Sequence, residues 1–177
     1  MFLSVLFACS SEFQSLDHKE PTYVNEMFAS QSDKVRNDPR ALRGNIEFTS
    51  HASIDSFCED HTSVVGDVEI FGKDIHTLEG LSCLEQVSGS VSIEYTRIDS
   101  LYGLKFLTEI GEDLTITRNP ELQTLEGLGH VDTLSGNLEV SYNASLEHLH
   151  GLERIHDING DVTVAGNPLV ENLQGLE

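Results

Sequence analysis

Two short motifs recur in fixed phase along most of this chain, and they constrain its fold more than any other feature. Leu-x-Gly-Leu occurs at 78–81, 101–104, 125–128, 149–152 and 173–176, with successive copies 23, 24, 24 and 24 residues apart. An alternating apolar pair precedes each copy: Val68/Ile70, Val91/Ile93, Leu114/Ile116, Leu138/Val140 and Val162/Val164. Self-similarity at a constant period marks a repeat architecture. One unit cannot bury its own apolar face, and stacking the units builds a shared core.

Each alternating pair reads as a short strand with two side chains turned inward. More apolar positions follow in phase. They are Ile75, Ile98, Leu122, Leu146 and Val170, then the two leucines of the motif, then Leu84, Leu107, Val131 and Ile155, and finally Val87, Ile110, Leu134 and Ile158. Equivalent strands of neighbouring units are expected to pair in parallel. The expected fold is mainly β, a parallel β-helix or solenoid of about five coils of 23–24 residues. Gly66, Gly89, Gly136 and Gly160, each two residues before a strand, read as corners that need a tight turn or positive φ. Asn119, Asn143 and Asn167 each stand three residues after the second inward strand residue. That constant phase predicts an asparagine ladder, with side-chain amides bonding backbone groups of neighbouring coils.

A different unit precedes the repeats. Gly44–Phe48 has the strand pattern, and Ser50 can cap a helix running through Glu59 with Ile54 and Phe57 on one face. Such a helix would cover the open end of the stack, as terminal repeats must.

Together these features resemble the receptor L-domain family, which includes the ligand-binding lobes of the insulin and epidermal growth factor receptors, bacterial surface proteins and fungal wall proteins. The matching residues are the cap strand Ile46–Phe48, the helix ending Phe57-Cys58-Glu59-Asp60, the entry Thr62–Ile70 and the five Leu-x-Gly-Leu copies. The resemblance covers residues 44–177 and implies a right-handed parallel β-helix with an N-terminal strand–helix cap. Two departures stand out. Cys58 has no second cysteine within the cap, and the sequence stops in mid-coil after Leu176-Glu177, so a truncated chain is expected. An open parallel edge is also a surface through which copies could oligomerise.

Residues 1–9 resemble the end of a bacterial lipoprotein signal: Leu6-Phe7-Ala8-Cys9 has the form of a lipobox, with Cys9 as the lipidated residue. No basic residue precedes the apolar run, and the run is short for a signal. An ordinary secretory signal or an apolar tail remain alternatives. A lipid on Cys9 would make the chain anchored rather than spanning, at the cell surface and by preference as an outer-membrane lipoprotein, otherwise secreted. Residues 10–43 are polar and aperiodic and read as a flexible tether.

Charge narrows the partners. The net charge is −20, and 24 acids against 5 bases after residue 43 place −19 on the folded part. That field repels phosphate backbones and excludes nucleic acid as a partner class. No nucleophile elbow, Gly-rich phosphate loop or His-Glu-x-x-His is present, so a non-catalytic domain is expected, with no cofactor and no metal. His148, His150 and His156 cluster but read as surface histidines.

The outward strand residues form the candidate ligand face for an unknown protein or glycan: Asp67, Glu69 and Phe71; Ser92 and Glu94; Asp113, Thr115 and Thr117; Glu139 and Ser141; Asp161 and Thr163. Cys58 and Cys83 could pair in an exported chain, or stand as two thiols. Repeat phase points Cys83 away from the core, which argues against an easy bridge. The function expected is surface binding or adhesion. The alternatives are a structural envelope or wall spacer, or a fragment of a larger surface receptor or hydrolase.

Overall fold

The computed structural model describes residues 35–176. The signal-like segment with Cys9, and the tether up to residue 34, lie outside the described residues. The described part is mainly β. Twelve short strands form two six-stranded sheets in which every pairing is parallel.

Chain order explains the topology. β1 (Ala41–Arg43) and β2 (Ile46–Phe48) lead into helix α1 (His51–Asp60). β3 (Ser63–Val65) and β4 (Val68–Phe71) follow, then β5 (Gln86–Val87) and β6 (Val91–Glu94), β7 (Glu109–Ile110) and β8 (Leu114–Thr117). The last two pairs are β9 (Thr133–Leu134) with β10 (Leu138–Ser141), and β11 (Asp157–Ile158) with β12 (Val162–Ala165). Odd-numbered strands build one sheet and even-numbered strands the other, each in chain order. Every repeat therefore contributes one strand to each sheet and lies beside the repeats before and after it.

The even-strand register is the one the repeat spacing demands. Val68, Val91, Leu114, Leu138 and Val162 are successive partners, as are Ile70, Ile93, Ile116, Val140 and Val164. A slip by one residue would turn the whole apolar set outward. The in-phase leucines and isoleucines through Leu152 are buried in one continuous core. In the last repeat the inward positions open to solvent: Val162 is 49% exposed, and Val164 and Ile158 are half-buried.

Of Gly66, Gly89, Gly136 and Gly160, read as corners, only Gly66 has positive φ. Crowding accounts for the others, since a Cβ on Gly89 would strike the Gly66 carbonyl oxygen and one on Gly160 that of Gly136. The Leu-x-Gly-Leu glycines are crowded in the same way. A Cβ on Gly103 would collide with the Leu78 carbonyl oxygen, and one on Gly127 with that of Leu101. Gly127 has φ 121, whereas Gly103 is not among the positive-φ glycines. Close approach of neighbouring backbones is common to both.

At the amino-terminal end α1 forms as the sequence predicts. Ser50 is extended and its side chain accepts the Ser53 N–H. Ile54 and Phe57 are buried, and Phe57 meets Phe48 edge-on at 5.6 Å. Two expectations need correction here. Residues 41–43, read as tether, are β1 and pair with β3, and Val35 is fully buried. Arg40 helps hold this clasp: its guanidinium donates to the Cys58 and Asp60 carbonyls at the helix C-terminus, where a cation is favoured. The second correction concerns Cys83. It lies at the margin of the core, not away from it, and forms a disulfide with Cys58 across 5.7 Å between Cα atoms. Repeat phase misplaced it because it takes no account of α1 packing over the first motif copy, where Gly80 lies against Ile54 and Asp55 of the helix.

Candidate functional site

The outward face of the even-strand sheet divides into three rows, and only part of it is free to meet a ligand. In the first row, side-chain oxygens are spent on backbone. Asp67 accepts the Ser90 N–H at 2.9 Å, Ser90 the Asp113 N–H at 3.3 Å and Asp113 the Asn137 N–H at 2.6 Å. Asn137 accepts the Asp161 N–H at 2.8 Å, and Asn45 begins the series by accepting from Asp67. The sequence places Asp67 and Asp113 on the candidate ligand face. They are instead rungs of a ladder that clamps one repeat to the next, and Asp161 enters it as the last N–H donor.

The second row holds Glu69, Ser92, Thr115, Glu139 and Thr163 in register. Glu69 and Thr163 are exposed; Ser92, Thr115 and Glu139 are half-buried. In the third row Thr117 and Ser141 are buried, at 3% and 1% exposure, which corrects their placement on the ligand face. Ser141 donates to Glu139 Oε1 at 2.6 Å, so its own oxygen is left to accept from Thr117 at 2.9 Å. Ser92 likewise donates to Glu94 at 2.8 Å. These hydroxyls are occupied with their neighbours. Phe71, in the same row, is 41% exposed.

The predicted asparagine ladder is present just past the strand ends. Asn119 Oδ1 accepts the Thr96 N–H and Asn143 Oδ1 the Asn119 N–H, both at 3.0 Å; Asn167 Oδ1 accepts the Asn143 N–H at 2.9 Å. The three amides donate to the carbonyls of Ile93, Ile116 and Val140. All three asparagines are buried.

The residue before each rung is where sequence reasoning missed a site. Gly72, Tyr95, Arg118, Tyr142 and Gly166 each follow an even-numbered strand, and all five have positive φ. Glycine fills the outer two positions. The middle three hold bulky side chains at φ 54, 55 and 56, a conformation that costs an L-residue roughly 1–2 kcal/mol. Strain of this kind persists where the surroundings enforce it, and it concentrates at functional sites.

The three strained side chains stack. The Arg118 guanidinium carbon lies 5.3 Å from the ring centroids of both Tyr95 and Tyr142, within cation–π range. Phe71 meets Tyr95 at 5.4 Å and extends the row to a fourth repeat. Gly166 leaves room for the Tyr142 ring, which any Cβ there would strike. The row stays open to solvent, with Tyr95 at 37% and Tyr142 at 57% exposure.

Beside the row lies a cleft of about 370 Å³, lined by Tyr95, Arg118 and Tyr142 together with Lys73, Arg97 and Pro120. Three of the five bases after residue 43 therefore converge on one cleft of an acidic domain. Among the described residues neither Lys73 nor Arg118 has a carboxylate partner, and Arg97 has a loose one, Glu121 at 3.8 Å. The signal was available in the sequence: aligning the position before each ladder residue gives Gly, Tyr, Arg, Tyr, Gly.

Elsewhere the His148 and His150 rings stack at 4.2 Å. Among the described residues no group of three His, Cys, Asp or Glu side chains is placed to hold a metal ion. Among the same residues no helix is long and apolar enough to cross a membrane. Compared with known proteins, the chain matches no family model, no curated protein and no solved structure.

Proposed function

We propose that this chain is a non-catalytic surface-binding or adhesion module and that it holds its ligand at the Phe71–Tyr95–Arg118–Tyr142 row and the cleft beside it. One observation carries the reading: three bulky side chains are kept in a strained conformation at a repeat position where glycine would be free of strain, and they stay exposed. Packing alone gives no reason to bear that cost three times. The fold belonging to this reading is a right-handed parallel β-solenoid of about five coils with a strand–helix cap, of the receptor L-domain type. The parallel register and the ladders support it. A lipid on Cys9 would present the module at the cell surface.

The test compares the full chain with its Arg118→Gly/Tyr142→Gly variant for adhesion to isolated envelopes of the cells that make it. Loss of adhesion with an unchanged circular dichroism spectrum supports the binder. Equal adhesion by both proteins overturns it in favour of a structural spacer.

A further inference from the structure

The charge and shape of the cleft narrow the chemistry of its ligand, given the binding role just proposed. We propose that the cleft takes a sugar ring bearing a single carboxylate, a uronic acid unit in an otherwise neutral glycan. Lys73, Arg97 and Arg118 come from three successive repeats and line one opening. They create a local positive potential, and Arg97 and Arg118 offer planar donor forks that suit a carboxylate. The Arg97–Glu121 contact is half-exposed on both sides, so solvent screens it and an incoming anion can displace it.

The surrounding field limits what that anion can be. The part after residue 43 carries −19. A polyanion or a phosphate dianion would meet repulsion outside the cleft for each charge it brings, whereas a monoanion on a neutral body meets it once. The walls describe that body. Tyr95 and Tyr142 stay partly exposed on either side of the Arg118 guanidinium that stacks on both rings. The C–H face of a pyranose can lie along the aromatic surface left open, and the tyrosine hydroxyls both donate and accept as ring hydroxyls require. A volume of about 370 Å³ is at the small end of ligand sites and fits one or two such rings. An acidic peptide would satisfy the cations but would leave the open edge of the aromatic row without a matching apolar partner.

The chain contains no Trp, and two of its four Tyr line the cleft, so tyrosine emission reports directly on occupancy. The probes are methyl glucuronide, methyl glucoside and the acidic dipeptide acetyl-Asp-Glu-amide, titrated into the full chain. The expected result is saturable binding of the glucuronide at least tenfold tighter than the glucoside. Arg97→Gln and Lys73→Gln should each narrow that ratio several-fold with the circular dichroism unchanged. Equal binding of the two sugars, tighter binding of the dipeptide, or no saturation by the glucuronide each overturns the proposal. Tighter dipeptide binding leaves the row a binding site and removes only the sugar. Equal envelope adhesion by the Arg118→Gly/Tyr142→Gly variant removes the row itself.

Discussion

The side-chain oxygen of Asn143 accepts the backbone N–H of Asn119, 3.0 Å away and one repeat nearer the amino terminus. On the other edge of the same sheet the direction reverses: Asn137 Oδ1 accepts from Asp161, one repeat nearer the carboxyl terminus. Two ladders of opposite polarity thus bracket the even strands, and each satisfies backbone donors just beyond the reach of regular strand pairing.

The inner ladder should be the costlier to break. Asn143 is fully buried, accepts from Asn119 and donates to the Ile116 carbonyl at 3.0 Å. Asn143→Ala leaves a buried donor and a buried acceptor unmatched, at about 1–3 kcal/mol each. Asp113→Ala, at the half-exposed outer ladder, lets water replace the side chain. Urea unfolding should show Asn143→Ala losing at least twice as much stability as Asp113→Ala. Equal losses would show that the two ladders carry the stack alike.

Backbone crowding makes a sharper prediction for the motif glycines. At Gly127 both reasons act, since its φ of 121 disfavours an L-residue and a Cβ would strike the Leu101 carbonyl. Gly127→Ala should cost several kcal/mol, well beyond the roughly 1 kcal/mol gain that glycine replacement gives at an unstrained site. Gly129, where a Cβ meets nothing within 4 Å, is the control: Gly129→Ala should be tolerated. Thermal unfolding of the two variants decides it.

Much of this was readable from phase alone. The even strands, the core positions from Ile75 to Leu152 and the rungs Asn119, Asn143 and Asn167 all follow from a period of 23–24 residues combined with side-chain type, and the capping Ser50 follows from local helix signals ahead of the repeats. What escaped were features set by contact between units. Repeat phase shows that Asp67 and Asp113 point outward, but not that their oxygens turn along the sheet to the next backbone N–H. It placed Cys83 outward because it could not see α1 lying over the first motif copy. It passed over Tyr95, Arg118 and Tyr142 because their residue types do not announce a positive φ, and the glycines that do, Gly72 and Gly166, stand only at the outer copies of that position.

The stacked row separates function from stability in an unusual direction. Tyr142→Gly relieves a strain of roughly 1–2 kcal/mol and gives up a cation–π contact with Arg118 of about 0.5–1 kcal/mol. The variant should be as stable as the parent or slightly more so, while losing ligand capture. Most substitutions that abolish binding at a packed site lower Tm. A drop of more than a few degrees here would show that the Tyr142 ring is needed to hold the fold.

The Cys58–Cys83 bond closes a span of 25 residues between the cap helix and the first repeat. On the chain-entropy account such a bond contributes about 3 kcal/mol. The Cys58→Ser/Cys83→Ser variant should lose that amount, and the loss should fall on one end of the molecule. Hydrogen exchange should quicken in α1 and in residues 79–81, which pack together, and change little at β8 and β10. Uniform acceleration across all repeats would mean that the cap and the stack unfold as one unit.

Acid should loosen the clasp through Asp38. Its carboxylate accepts from the Ser63 hydroxyl, from the Arg40 N–H at 2.8 Å and from the Thr62 hydroxyl at 3.2 Å. The Ser63 bond first, then the Arg40 N–H, hold its carboxyl below the ordinary value of 3.8, against a smaller opposing effect of burial. A carboxyl with a lowered native pKa stabilises the fold fully above its unfolded value, and this contribution fades as pH falls through the native value. The stability difference between the parent and Asp38→Asn should therefore be constant from pH 7 down to about pH 5, then shrink below about pH 4. Comparison with the variant is essential, because protonating the many other carboxylates also relieves the repulsion of a −20 chain and can raise the stability of both proteins. A difference that stays flat to pH 2.5 would show that the hydroxyl bonds, and not the charge of Asp38, secure β1 to β3.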